Sequence, residues 1–230
     1  MTIVWEEITK NHMLHIEKVL ELYDMAFLKD IREPHHIFYN ALDKAEQNLP
    51  NRFRFLVGLM EGKLVSFATG HYLAEVNCGF IVYLGTDQHE RGKGLGSQAL
   101  GIIEEYLNQD ALLAGNDSIR AFVLETEKLE WANSEEEREA CLKRDNFYRK
   151  NGYKAYKGIE YMQPPLNGGN EGIPLKLNIK KRHQTNFSRD EVQRLIYAMY
   201  DQKYHLVNEI PTMVLNDCLK GMSILKAINI

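Results

Sequence analysis

The sequence predicts a mixed α/β domain followed by two amphipathic helices. Three observations carry that expectation. Apolar residues switch repeatedly between alternation, as in a half-buried strand, and helical spacing. Glu61-Gly62 interrupts the alternating stretch "RFRFLVGLMEGKLVSFATGHYL" as a hairpin turn would. A glycine-rich loop, "QHERGKGLGSQAL" (88–100), then runs straight into an apolar helical segment.

In chain order, "TIVWEEI" is a short strand. "HMLHIEKVLELYDMAF" places Leu14, Val19, Leu22, Met25 and Ala26 at helical spacing, and a second helix starts after Pro34. The hairpin about Glu61-Gly62 follows, and then "EVNCGFIVYLGT", a more buried strand. The helix after the glycine loop has an apolar face of Leu95, Ala99, Ile102, Ile103 and Tyr106. "SIRAFVLETE" is the next strand. Ser134 and Glu137 have capping-box spacing and open a helix through Lys150, which Asn151-Gly152 stops. "YKAYKGIEYM" and "IPLKLNIKK" are two further strands, and "QPPLNGGNEG" reads as the long loop of their hairpin. Ser188 and Glu191 cap a helix with Val192, Leu195, Ile196 and Met199 on one face. Pro211 opens another with Leu215, Cys218, Leu219 and Met222.

Composition narrows the class. The 230 residues are 44% hydrophobic, enough for a core, and the formal net charge of −4 argues against a dedicated nucleic-acid binder. Cys78, Cys141 and Cys218 lie far apart, which suits reduced thiols in a cytoplasmic protein. The first residues, "MTIVWEEITKNH", lack a basic segment followed by an apolar run, so no signal peptide is expected. No stretch approaches the roughly 18 apolar residues of a membrane span. The histidines His35, His36, His71, His89, His183 and His205 show no ligand spacing, so no metal site is expected.

The glycine loop suits phosphate. The first amides of a helix have no intrahelical acceptors, and glycine permits close approach to them. A Walker loop is excluded, because Asp87 stands where its first glycine belongs. Gly94, Gly96 and Ala99 satisfy the G-x-G-x-x-A dinucleotide fingerprint, but the strand-to-loop distance is long and no acidic residue ends the next strand at the required interval.

Arg91-Gly92-Lys93-Gly94-Leu95-Gly96 resembles the (Arg/Gln)-x-x-Gly-x-(Gly/Ala) signature of the GNAT acetyltransferase superfamily. "NFYRKNGYK" (146–154) resembles the family's second signature, a helix ending in Phe-Tyr followed by a Gly-aromatic pair. The helix–strand–helix interval between them matches as well. The resemblance implies a mixed, mostly antiparallel central sheet splayed between two parallel strands and flanked by helices. It covers residues 1–182 as a catalytic core and leaves 183–230 as a two-helix extension, packed on the core or in a dimer interface.

The resemblance also implies acetyl-CoA as co-substrate, with no metal. The pyrophosphate would lie over Arg91, Gly92, Lys93, Gly94, Leu95, Gly96 and Ser97, and the pantetheine arm would pair with the backbone of Leu84, Gly85 and Thr86, where Gly85 suits a bulge. A backbone amide on the splayed strand would face the developing oxyanion. Tyr148 would return a proton to the departing thiolate, and Glu75 or Glu125 would take one from the amine. Glu125 and Glu127 alternate on one strand and share a face. Arg144, four residues before Tyr148, would clamp Glu125 or a substrate carboxylate. Leu142 and Asp145 depart from the Asn and Ala that many members carry there. Tyr197, Tyr200 and Tyr204 have the spacing of core packing, an acceptor pocket or a dimer seam.

The expectation is therefore a cytoplasmic N-acetyltransferase acting on a small-molecule or peptide amine, with room for a homodimer and no nucleic-acid or membrane partner. Its rivals are a non-catalytic acyl-CoA sensor on the same fold and a dinucleotide-binding oxidoreductase.

Overall fold

The structure, a computed structural model, describes residues 3–27, 32–182, 187–224 and 228. The chain divides into two compact units, Met1–Ile119 and Arg120–Ile230.

The first unit is an antiparallel meander with helices. Its strands β1 (Ile3–Glu7), β2 (Arg52–Met60), β3 (Lys63–Leu73) and β4 (Cys78–Thr86) pair in chain order. The β2–β3 hairpin turns where expected, with Glu61 and Gly62 both at positive φ. Helices α1 (Ile16–Ala26) and α2 (His36–Ala45) cover an aromatic core centred on Tyr23, whose ring lies 4.9 Å from both Phe38 and Tyr83 in edge contact. Tyr23 also accepts a hydrogen bond from the Glu33 amide at 2.8 Å. The buried face of α1 is Ile16, Val19, Leu20, Leu22 and Tyr23, whereas Leu14 and Met25 are each 73% exposed. Val19 and Leu22 are buried as expected, but Leu14 precedes the helix and Met25 turns outward, and Ile16, Leu20 and Tyr23 complete the face instead.

Helix α3 (Leu95–Leu113) packs on β3 and β4. It comes so close that a Cβ at Gly70 would lie 3.1 Å from Leu107 Cδ1. Leu95, Ala99 and Ile103 are buried as expected, but Ile102 and Tyr106 are only half-buried, and Leu100, Leu107 and Ala111 take the remaining apolar core positions. Asp110 sits among them with its side chain fully buried. Arg54 of β2 donates to both Asp110 oxygens and to Glu7 at 2.8 Å, so one guanidinium ties β1, β2 and α3 together.

In the second unit, β8 (Ile173–Lys181) pairs antiparallel with β5 (Ala121–Glu127) and with the two-residue β6 (Lys154–Ala155) and β7 (Met162–Gln163). The long loop expected between the last strands closes the β7–β8 hairpin. The expected strand over 153–162 is reduced to β6 and β7, because only those ends pair with β8. Helix α4 (Glu135–Lys150) starts at Ser134, whose side chain accepts from the Glu137 amide. The Glu137 carboxylate caps Asn133 rather than Ser134.

Helix α5 (Arg189–Met199) opens on a full Ser188–Glu191 capping box and runs into a π-helical segment, Tyr200–His205, before α6 (Thr212–Gly221). The expected apolar faces of α5 and α6 are buried. Arg120 donates to Glu191 at 2.6 Å, and that bond with the Ser188 cap holds the Glu191 carboxyl down at about 2.

Two stability measurements follow. Arg54→Leu leaves the Asp110 carboxylate buried with Arg52 Nε at 3.6 Å as its remaining cation. It should cost about 3 kcal/mol, read as a lower urea midpoint at unchanged slope. Glu191 has a folded pKa below its ordinary 4.5, so its contribution is present above that value and is lost as pH falls toward about 2. Glu191→Gln should remove this part of the acid destabilisation, measured as thermal stability against pH.

Candidate active site

In the first unit, β4 ends at Thr86 and delivers the chain to the glycine loop. Asp87 caps a 3-10 turn, Gln88–Glu90, by accepting from the His89 amide at 2.9 Å. Lys63 pairs with Asp87 at 2.9 Å and Lys93 with Glu90 at 2.5 Å. These bonds hold both carboxyls below their ordinary values. The charge of Lys93 is thus matched inside the loop, whereas Arg91 is exposed and makes no ion pair among the described residues.

Gly92 and Gly94 have φ of +83° and +77°, the left-handed region, and open space surrounds the positions their Cβ atoms would take. Gly94 is the N-cap of α3. It supplies no side-chain cap, and the first turn holds no acidic residue. The first intrahelical bond runs from the Gln98 amide to the Gly94 carbonyl at 3.1 Å, so the amides of Leu95, Gly96 and Ser97 point out of the helix end. This uncapped end fits a pyrophosphate, as the resemblance to the acetyl-CoA-binding signature requires.

Leu84, Gly85 and Thr86 pair with Ala68, Phe67 and Ser66 of β3, and the Gly85 carbonyl accepts from Ser66 Oγ at 2.8 Å. The expected bulge at Gly85 lies elsewhere. The register slips where Thr69 faces Tyr83 and Gly70 faces Ile81, which leaves Val82 as the extra residue. Gly85 is needed for another reason, since any Cβ there would run into the buried Phe67 ring. Glu75 is also displaced from its expected place at the start of β4. It lies in an exposed 3-10 turn, Ala74–Val76, before the strand.

In the second unit, Glu125 and Glu127 project from one face of β5, but their partners differ. Arg144 of α4 pairs with Glu127 and not with Glu125, which corrects the expected clamp. Glu125 accepts from Tyr161, from Gln163 Nε2 at 2.6 Å and from Tyr204 at 2.8 Å to each oxygen. Burial pushes its carboxyl above the ordinary value, and the three donors pull against that shift. Neither Tyr161 nor Gln163 stood out in the sequence, because Tyr161 reads as part of an ordinary strand and Gln163 as the first residue of the long loop after it. Tyr204 is one of the three tyrosines whose spacing suits core packing, an acceptor pocket or a dimer seam; it is buried and bonds Glu125.

Tyr148 lies one helical turn beyond Arg144. Its half-buried ring packs edge-on against Phe147 at 5.0 Å and Tyr153 at 5.8 Å. Gly152, at φ +92°, turns the chain so that the Tyr153 amide bonds back to the Tyr148 carbonyl at 3.0 Å. Among the described residues the Tyr148 hydroxyl has no hydrogen-bond partner. Burial pushes it up to about 12, with Arg144 opposing the shift. The group therefore keeps its proton across the neutral range. Asp145, one of the departures from the family pattern, is engaged by Lys176, and Leu142, the other, is exposed.

Of the histidines, His35 bonds Asp24 at 3.0 Å and His71 is buried against Phe53. His183 lies outside the described residues. Among the described residues no group of three or more His, Cys, Asp or Glu is placed to hold a metal ion, and no helix is long and apolar enough to cross a membrane. All three cysteines are buried free thiols.

Comparison with known proteins adds the family. Residues 16–125 match the model of the acetyltransferase (GNAT) family. Among solved structures, a protein of Bacteroides thetaiotaomicron described as a GNAT-family acetyltransferase aligns over 90% of this chain and 99% of its own, at 17% identity and a TM-score of 0.65. The ribosomal-protein-S18-alanine N-acetyltransferase of Escherichia coli aligns over 80% of this chain and 97% of its own, at 12% identity and a TM-score of 0.52. A Salmonella typhimurium protein described as an acetyltransferase, solved with its cofactor acetyl-CoA, covers 82% and 98% at 12% identity and a TM-score of 0.51. At these identities the likeness shows the shared fold, the mixed and mostly antiparallel α/β architecture expected. No curated protein sequence matches. Residues 16–125 are thus similar to the GNAT family of acetyltransferases, and the chain shares the fold of acetyltransferases assigned to it.

Proposed function

We propose that this enzyme transfers the acetyl group of acetyl-CoA to a primary amine by direct attack in a ternary complex. The observation that carries this reading is Tyr148. Its ring is clamped by Phe147 and Tyr153, yet its hydroxyl is free of hydrogen-bond partners among the described residues. A free hydroxyl at the family's tyrosine position, on a ring held rigid, suits a proton donor. It also favours an enzyme over a binding module that merely senses acyl-CoA.

The amides of Leu95, Gly96 and Ser97, with the turn from Arg91 to Gly94, would hold the pyrophosphate. The backbone of Leu84 to Thr86 would hold the pantetheine arm. Bound there, acetyl-CoA supplies an activated thioester. Tyr148 holds the proton destined for the departing sulfur. A glutamate, Glu125 or Glu75, takes the proton that the acceptor must lose before its nitrogen lone pair can attack, directly or through water. Glu127 and Arg144 are assigned to acceptor binding as an ion pair. The core of this reading is residues 1–182, with 183–230 as an extension that leaves room for a homodimer. Buried free thiols suit a reducing compartment, and the cytoplasm is the location proposed.

Three measurements test the reading. Acetyl-CoA should raise Tm by mass action, while NAD and ATP should do so much less. Gly94→Asp and Gly96→Asp should abolish the acetyl-CoA shift by placing negative charge against the phosphate, and a normal shift in both would overturn the loop assignment. Acetyl-CoA should release free thiol with at least one member of a panel of polyamine, aminoglycoside, amino-acid and peptide amines. With the best of these, Tyr148→Phe should lower kcat roughly 10²–10⁴-fold while the Kd for acetyl-CoA barely changes. Because Tyr148 must be protonated to act, it should impose no alkaline limb on the pH profile below its own value of about 12. A kcat within about threefold of wild type, once chemistry is shown to limit turnover, would assign Tyr148 to packing.

A further inference from the structure

Glu125 is surrounded by donors that the acetyl transfer outlined above leaves unexplained. Tyr161 donates to Oε1, Gln163 Nε2 donates to Oε2 at 2.6 Å, and the Tyr204 hydroxyl sits astride the carboxylate at 2.8 Å from both oxygens. The two tyrosines are each 1% exposed, whereas Glu125 keeps part of its surface open. The donors therefore come from the protein interior, while Glu125 itself is half-buried on its strand.

Two of the donors depend on the C-terminal helices. Tyr204 belongs to the π-helical segment Tyr200–His205, where the Leu206 amide bonds the Asp201 carbonyl five residues back at 3.0 Å. Tyr200, in edge contact with Tyr204 at 5.5 Å, donates to the Met162 carbonyl. Met222, just past α6, accepts from the Met162 amide at 3.2 Å. Both backbone groups of Met162 are thus tied to these helices, and the next residue is Gln163.

The electrostatics of this cluster have a direction. Burial favours the neutral form of Glu125, while the three donors and the Lys203 ammonium favour the carboxylate. Tyr161, Tyr200 and Tyr204 are raised well above 10 and remain neutral donors. The donors contact both oxygens and so fix the orientation of the carboxylate.

We propose that Tyr204, with Tyr161 and Gln163, positions Glu125 as the group that takes the acceptor's proton, so that the C-terminal helices are part of the catalytic apparatus. The acceptor arrives as an ammonium. One of its N–H bonds breaks, an O–H bond forms on Glu125, and the electron pair left on nitrogen becomes the nucleophile. The inference rests on the acetyl-transfer reading and selects Glu125 over Glu75. It also defines the acceptor as a cationic primary amine, one whose charge the carboxylate attracts before it removes the proton.

The test compares the full-length wild type with Tyr204→Phe, Tyr161→Phe and Glu125→Gln. Each tyrosine change deletes one oxygen, so two independent variants guard against misfolding of either. Protein labelled with ¹³C at glutamate carboxyls is titrated by NMR, and the Glu125 signal is the one absent from Glu125→Gln. Each tyrosine variant removes a donor that favours the carboxylate, so the Glu125 midpoint should move up by about one pH unit. The acid limb of kcat with the fastest amine of the panel should move up with it. Turnover on the acid side would then fall roughly tenfold, while the KM for acetyl-CoA stays unchanged. If Glu125→Gln destroys turnover but both tyrosine variants keep the wild-type midpoint and limb, the positioning role is overturned and Glu125 remains the base. If Glu125→Gln keeps the wild-type limb, the proton goes elsewhere and the inference fails, while acetyl transfer stands on the thiol-release assay.

Discussion

The uncapped N-terminus of α3 can serve a phosphate only if the helix is held still, and the anchor is the ion pair between Arg54 and Asp110. Asp110 is near the far end of a helix of 19 residues, with its side chain fully buried. Arg54 reaches it from β2 and also binds Glu7 of β1. The arrangement needs a close seat for α3, which Gly70 supplies by leaving room for Leu107. A buried pair of this kind adds little net stability compared with an apolar core, but it fixes one register, because any slip strands a charge. The glycines at the other end of α3 then complete the site by what they lack, a side-chain cap for the outward-facing amides.

On β5 the same strand face carries two carboxylates with different fates. Glu127 meets a guanidinium, and that pairing directs Arg144 along the helix that also carries Tyr148. Glu125 meets hydroxyls and an amide, which orient it without matching its charge as a direct guanidinium pair would. Burial holds the Glu125 carboxyl above its ordinary value, against the pull of its neutral donors. The alternation along one strand thus gives two neighbouring carboxylates different electrostatic surroundings through partners alone.

The tail of the chain shows how local chemistry and packing combine. The Ser188–Glu191 capping box starts α5, and Arg120 reinforces it through the same carboxylate. The helix then loosens into a π-helical turn at Tyr200, a wider geometry that occurs mainly where function compensates for poorer backbone bonding. Here the compensation is visible: Tyr200 bonds the Met162 carbonyl and Tyr204 bonds Glu125.

Much of this protein was legible in its residues because the information was local. Glu61-Gly62, Gly94, Ser134, Asn151-Gly152 and Ser188 act within a turn of themselves, so the hairpin and the helix ends followed from spacing alone. The two signatures around Arg91–Gly96 and Phe147-Tyr148 were legible for the same reason, each being a short contiguous segment. Positions that depend on a distant partner were not. Arg144 had two carboxylates within sequence reach, and only the fold paired it with Glu127. The bulge fell at Val82 instead of Gly85 because strand register is decided by pairing with β3. The donors around Glu125 come from positions 161, 163 and 204, and no spacing rule links them to a strand residue so far away. Sequence by itself determined most of the helices and the longer strands and several of their ends, since propensity, capping and periodicity are short-range. Which polar groups meet was decided only by tertiary structure, because burial and hydrogen bonding are settled between segments that the chain order keeps apart.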